Sequence, residues 1–402
     1  MINSNKCGFT IDLGLQPVSN RFYPLESGSS APKFHLGLKV NPKTGLIELN
    51  KLFPVEELKP RHDWLTNFEP EDHLDKLVED LINLPGVSRS SVIGAYSFKD
   101  DTTIKRLNTK GYNNSWRIDP ESDLGVDKFA NLETYQHEFT IEKSRKIKKK
   151  YGEADILLVR HALEHAYDIS NFVKAIRLLV KPTGFIVWEL PSCEKYLIHG
   201  DCTMIWEEHI YYFTEFTFRE FFKKEKLFIN NLNLIQYPLE DCIVAITHEK
   251  QNLDIDNFND NKDIDIDIEI EINRAKKYIE LLSNNKVSIP KILEDATNKF
   301  GNIVIFGAGH FTAAFISILN IEHLIDYIID ENPNKKGRKF PAGNIPIVSP
   351  DILQQNNIKL CFLGSNPQSH HKIIDKNKDF VDSGGIFLSI FPGTDRYFED
   401  IL

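Results

Sequence analysis

Residues 206–213 read Trp-Glu-Glu-His-Ile-Tyr-Tyr-Phe, which puts two carboxylates and an imidazole inside a run of bulky side chains. Charges in such a run are costly unless they are paired or used. An imidazole beside a carboxylate in an aromatic wall suits proton transfer: the wall tunes its pKa and the carboxylate fixes its tautomer. His209 is therefore a candidate general base, with Glu208 next to it. A lone buried histidine is more often satisfied by backbone groups, but a second cluster adds weight. RHALEHAYD (160–168) brings His161, Glu164 and His165 together directly after an apolar stretch. The His-x-x-x-His spacing also suits a metal on one helix face. No third ligand stands nearby and His-Glu-x-x-His is absent, so no metal is expected.

Two further stretches have the placement of ligand-binding turns. GAGH (307–310) follows the apolar NIVIF and opens a helical pattern, and Asp330 ends the next apolar run. Backbone N–H groups of such a turn meet phosphate at a helix N-terminus, and the acid takes ribose hydroxyls. Gly307, Gly309 and Asp330 are thus candidate nucleotide-binding residues; a tight turn without a ligand is the plainer alternative. YSFKDDTT (96–103) is the corresponding turn of an earlier unit and holds no glycine. Asp100 and Asp101 are placed to cap the helix that follows, and Asp119 ends the second strand, where a ribose-binding acid sits in such folds.

The elements that position these groups alternate. SVIGAYS (91–97), SWRID (115–119), ADILLVRH (154–161) and FIVWELP (185–191) read as strands. Helical spacing covers 72–84, 100–111, 144–152, 169–184 and 217–227. Strand and helix in turn predict a doubly wound α/β domain over 76–250. Residues 1–75, rich in Pro and Gly with short apolar stretches, read as a small irregular or β-rich module. Residues 251–271 are acidic and of low complexity, an exposed linker, with helices expected over 270–283 and 289–299 in a connecting segment 251–300. Alternation resumes over 301–402, a second, smaller α/β domain. The fold class expected is α/β: a Rossmann-like doubly wound domain between a small N-terminal module and a C-terminal Rossmann-like domain.

Composition narrows the function classes. The chain has 402 residues and a net charge of −10, which argues against nucleic-acid binding. No apolar run reaches the ~20 residues of a membrane span. The N-terminal segment lacks a signal-peptide pattern, and the five scattered cysteines suit a reducing compartment. A cytoplasmic globular protein is expected.

Four stretches carry a resemblance. DLGLQPVSNRF (12–22), GEADILLVRHALEHAYD (152–168), EEHIYYFT (207–214) and IDYIIDENPNKKGRKFPAGNIPIVSP (325–350) resemble segments of the S-adenosylmethionine-dependent sugar C-methyltransferases, which act on nucleotide-linked keto sugars. The last match is the longest and most specific. The resemblance implies that a base removes the proton alpha to the sugar ketone and that the enolate carbon takes the methyl group of S-adenosylmethionine. On this chain the matched base is His209 with Glu208, and His165 matches a second histidine that polarises the ketone oxygen. Ser97, Asp100, Asp101, Asp119 and His161 are the implied cofactor edge. Trp206, Gly307, Gly309, Asp330 and Lys336 are the implied substrate side.

The chain also departs from the family. Asn41 and Thr44 stand where a Cys-x-x-Cys pair is usual, and Cys7 is the one cysteine nearby, so the N-terminal module is expected to be zinc-free. Ser97-Phe98-Lys99-Asp100-Asp101-Thr102 replaces a glycine-containing loop. Two other functions fit these residues: a nucleotide-sugar-binding scaffold with a decayed methyl-donor site, and a sugar epimerase or isomerase using the same acid–base groups.

Overall fold

The computed structural model describes residues 3–5, 8–62, 64–65, 69–126, 132–249, 264–355 and 358–402. Cys7 and residues 251–263 of the acidic stretch lie outside the described residues.

The N-terminal module is an antiparallel sheet of Asn3–Asn5, Gly8–Pro17, Lys33–Val40 and Ile47–Leu49. Its fifth strand, Tyr211–Tyr212, comes from the aromatic run 160 residues later and pairs with Ile47 and Glu48. Alternate residues of these strands, such as Leu36, Leu38 and Val40, point inward and are buried.

The central sheet runs in the order Leu227–Ile235, Asp241–Glu249, Val180–Ser192, Ala154–Arg160, Ile93–Ala95, Ser115–Arg117. Its last four strands are parallel and its first two antiparallel. Ile156, Leu157, Leu158 and Val159 are fully buried, as a parallel strand covered on both faces requires. The order reverses between Ile93–Ala95 and Ala154–Arg160, so the crevice beyond their C-terminal ends is where such a sheet binds ligands.

The C-terminal sheet is wholly parallel: Ile347–Val348, Ile325–Ile329, Ile303–Phe306, Leu360–Leu363, Ile386–Ser389. Its switch point lies between Ile303–Phe306 and Leu360–Leu363. The architecture is therefore α/β with two doubly wound sheets, as the alternation implies.

Three details differ from the sequence reading. The two helices expected over 270–283 and 289–299 are one, Ile264–Phe300, with Pro290 inside it. Its apolar stripe (Ala275, Tyr278, Ile279, Leu282, Ile289, Leu293, Ala296) runs across the proline and packs into one core with the N-terminal and C-terminal sheets. Each such fully buried aliphatic side chain contributes ~1.5–3 kcal/mol, enough for tertiary packing to outweigh the proline. Gly200 lets this helix approach closely: it holds φ +64°, and a Cβ there would lie 2.5 Å from the Leu281 Cβ. The helix expected over 169–184 stops at Arg177, and the strand begins at Val180, which pairs with Ala154. The strand Leu227–Ile235 was not expected; it is the sheet edge, and its asparagines obscure the alternation. Among the described residues, no helix is long and apolar enough to cross a membrane.

Candidate active site

The aromatic run is first of all a joint. Glu207 Oε1 accepts the Ser19 N–H at 2.6 Å, Asn20 Nδ2 donates to Glu208 Oε1 at 3.0 Å, and Trp206 Nε1 donates to Ser19 Oγ at 3.0 Å. The segment Ser19–Asn20 of the N-terminal module thus holds one oxygen of each carboxylate. Glu208 is buried and points at that module rather than into the cavity beside His209. This corrects the expectation that its carboxylate works next to the base. Glu208 acts on the site through its backbone instead: its carbonyl oxygen lies 2.7 Å from His165 Nδ1.

The cavity, of about 260 Å³, lies between the C-terminal edges of both parallel sheets. His161, Glu164 and His165 reach it from the turn after Ala154–Arg160. Trp206, His209 and Tyr212 come from the aromatic run, and Gly307, Gly309 and His310 from the glycine turn. The His165 and His209 ring centroids are 4.7 Å apart, and His310 stacks on Trp206 at 4.3 Å with an interplanar angle of 15°. One indole and three imidazoles thus form a continuous wall built by two domains. Burial, followed by the neighbouring His165, His310 and His161, holds His209 well below its ordinary pKa, so its imidazole is neutral. Burial likewise lowers His310, to about 4.

The glycine turn is open to this cavity. Gly307 has φ +115°, and a Cβ there would meet the Ser365 nitrogen at 2.9 Å, so no other residue fits. Gly309 has open space around a Cβ, and its absence leaves backbone facing the cavity. Asp330 lines the cavity but also holds the turn: Oδ2 accepts from the Ala308 N–H at 2.9 Å and from Lys335 Nζ at 3.0 Å. The cation at this site is Lys335, which also donates to the Ala308 carbonyl. Lys336, the residue named from the sequence, is exposed and does not line the cavity.

The turn Ser97–Asp100 is closed. Ser97 and Asp100 form a capping box: Ser97 Oγ accepts from Lys99 N–H, and Asp100 Oδ2 accepts from Ser97 N–H. Both are buried. Asp100 Oδ1 also accepts the Arg160 N–H at 3.2 Å. Arg160, at the end of its strand, is 1% exposed and makes a two-point pair with Glu189 at 2.7 and 2.9 Å. Its Nη1 donates to the Lys99 carbonyl, which clamps the turn to the sheet. Beside it, Tyr96 bonds Gln136 and packs among Tyr135, Phe139 and Phe172, filling the neighbouring space with aromatic rings. Burial raises Asp100 to about 7, against the pull of Arg160.

Asp101 and Asp119, two more residues of the implied cofactor edge, also lie off the cavity. Asp101 pairs with Arg117 on the surface, and Asp119 caps the helix Pro120–Leu124 through the Ser122 N–H. His161 reaches the cavity, but its Nε2 bonds Glu189 at 3.0 Å. Burial lowers the His161 pKa, yet Glu69, Glu164 and Glu189 outweigh this and lift it to about 10. His161 also holds φ +49°, a strained value for a non-glycine residue at a ligand edge. Ser97, Asp100, Asp101 and Asp119 therefore do not form a cradle for S-adenosylmethionine. Their side chains are committed to caps, an ion pair and the Arg160 clamp.

Of the residues named from the sequence, the cavity gathers His161, His165, Trp206, His209, Gly307, Gly309 and Asp330. It also gathers Glu69, Glu164, Tyr196, Glu240, His310 and Lys335, which were not assigned to it. His310 was legible as the residue closing GAGH, and Glu164 as the acid inside RHALEH. Arg160 carried a signal too, as a charge that directly follows the apolar run Ile156–Val159. The expectation that the histidines lack a third ligand is corrected: ligand atoms of Glu164, His165 and His209 lie within 4.8 Å of one another.

Comparison with known proteins bears on the C-terminal part. No curated protein matches the chain. Solved structures that resemble it share little sequence. The 1,6-didemethyltoxoflavin-N1-methyltransferase of Burkholderia thailandensis is 9% identical over 45% of this chain and 78% of its own, with a TM-score of 0.30. S-adenosylmethionine-dependent methyltransferases of Clostridium acetobutylicum and Aquifex aeolicus are each 9% identical. They cover 44% and 48% of this chain and 91% and 95% of their own, with TM-scores of 0.28 and 0.29. Likeness this low carries no functional argument. Residues 262–392, which hold the glycine turn, Asp330 and Lys335, match the family model of the C-methyltransferase C-terminal domain.

Proposed function

We propose that the chain is an enzyme of C-methyl transfer, acting on the carbon alpha to the ketone of a nucleotide-linked keto sugar, with S-adenosylmethionine as methyl donor. One observation carries the reading: a single cavity joins the open Gly307–His310 turn to the His165–His209 pair. A diphosphate suits the bare backbone of that turn at the start of the helix His310–Leu319. The sugar then extends toward the imidazoles. One imidazole takes the alpha proton, and the other meets the oxygen on which the enolate charge develops. The match of residues 262–392 to a C-methyltransferase domain supports the reaction class.

The methyl-donor side sets the second reading. Arg160 and Asp100 close the turn after Ile93–Ala95, where a methyl donor would approach this sheet. The same cavity then performs proton exchange alone, as an epimerase or isomerase does. Incubation with dTDP-4-keto-6-deoxyglucose in deuterated water separates the readings. Deuterium at the alpha carbon, plus a mass gain of one methyl group when S-adenosylmethionine is added, is the expected result. Deuterium without methylation selects the second reading. Neither change would leave only the binding scaffold.

A further inference from the structure

We propose that His165, rather than His209, takes the alpha proton, and that His209 donates its N–H to the developing enolate oxygen. The inference rests on the reading above and reverses the roles that the family resemblance implies.

The tautomer of His165 is fixed by its neighbour. Nδ1 lies 2.7 Å from the Glu208 carbonyl oxygen, which can only accept, so Nδ1 carries the hydrogen. The neutral ring therefore has its lone pair on Nε2, the side on which Glu164 lies, with Oε1 at 3.9 Å. A neutral ring in this tautomer has no second N–H to offer a ketone oxygen; it is built to accept. Glu164 is 1% exposed, lines the same cavity, and neither of its oxygens has a hydrogen bond. Its contacts are the imidazoles of His161 at 3.6 Å and His165. A buried carboxylate left this way is costly at rest. It stabilises an N–H that appears on Nε2 when the proton arrives. A backbone carbonyl on one nitrogen and a carboxylate near the other orient and support a histidine that becomes cationic during turnover.

His209 has the opposite surroundings. His165 at 4.7 Å, Trp206 at 5.0 Å and Tyr212 at 6.3 Å face its ring. Burial chiefly disfavours its cation, and His165, His310, His161 and Lys99 add to this. A ring held neutral in this way serves as a hydrogen-bond donor to an enolate oxygen without gaining a proton. In this step the C–H bond breaks toward Nε2 of His165, its electron pair becomes the C=C bond, and the carbonyl pair moves onto oxygen.

Two measurements test the assignment. The first needs no substrate: ¹⁵N–¹H correlation spectra of the full chain labelled at histidine, with His165→Asn and His209→Asn spectra to assign the rings. The expected result is that the neutral His165 ring carries its hydrogen on Nδ1 and is bare at Nε2. A His165 that is protonated at Nε2, or that holds a stoichiometric metal with Glu164 and His209, overturns the proposal. The second is deuterium exchange into dTDP-4-keto-6-deoxyglucose by the same two variants. Asparagine donates a hydrogen bond but does not take a proton. His165→Asn is expected to lose at least about 100-fold in exchange rate, and His209→Asn to stay within about tenfold of the native rate. The reverse order overturns the proposal. If the native chain exchanges nothing, the proposed function fails and the tautomer measurement still decides on His165.

Discussion

At the switch point of the C-terminal sheet, Gly307 and Gly309 leave bare backbone facing a cavity. At the switch point of the central sheet, Ser97 and Asp100 fold their side chains back onto their own turn, and Arg160 clamps it from below. The two turns hold the same place in the same kind of sheet. Their difference shows that a doubly wound topology supplies a ligand edge, but local side chains decide whether the edge is open. A glycine turn exposes N–H groups to a ligand; a serine–aspartate capping box consumes them.

Breaking the closed turn is expected to give the largest effect. Arg160→Ala removes one partner of a buried pair and leaves Glu189 without its guanidinium. A loss of ~3–5 kcal/mol in urea unfolding is expected. Lys335→Ala at the open turn removes a cation whose side chain is 16% exposed and is expected to cost about 1 kcal/mol. Equal losses at the two turns would show that they do not differ in this way.

Within the open turn the two glycines separate shape from access. Gly307→Ala must hold φ +115° and crowd the Ser365 nitrogen, so a loss of ~1–3 kcal/mol is expected. Gly309→Ala meets open space and is expected to stay within about 0.5 kcal/mol of native stability while weakening dTDP affinity in calorimetry. At the joint between the module and the aromatic run, Glu207→Ala leaves the buried Ser19 N–H without an acceptor. It is expected to cost ~1–3 kcal/mol.

The histidines give the most gradual effect, spread over several pH units. His310 has a folded pKa of about 4, below the ordinary value near 6.5. The unfolded chain therefore binds its proton more readily, so this contribution is complete above about pH 6.5 and fades as pH falls toward 4. His209 acts in the same direction. His161, lifted to about 10, does the reverse: its contribution is complete below about pH 6.5 and fades as pH rises through 10. Urea stability followed against pH is expected to fall less steeply on the acid side in His310→Phe than in the native chain.

The sequence made the α/β alternation legible because buried parallel strands are short, apolar runs such as Ile156–Val159 bounded by turn residues. It misjudged Ile264–Phe300, since Pro290 reads locally as a break while the apolar stripe that holds the helix packs against distant sheets. The histidines that line the cavity were legible because imidazoles in aromatic surroundings are conspicuous. The destination of Glu207 and Glu208 was not: their partners, Ser19 and Asn20, lie 188 residues away. Lys335 and Lys336 are adjacent in sequence, and only the turn's three-dimensional path selects Lys335. The closure at Ser97–Asp100 depends on Arg160, a contact across about sixty residues that spacing alone does not reveal.

Hydrogen exchange read by mass spectrometry, with and without dTDP, tests the contrast between the turns most directly. dTDP is expected to protect the amides of Gly309–Phe311, which the helix start leaves without a side-chain cap, and to leave Ser97–Asp101 unchanged. Protection at Ser97–Asp101 with none at Gly309–Phe311 would be the contradicting result.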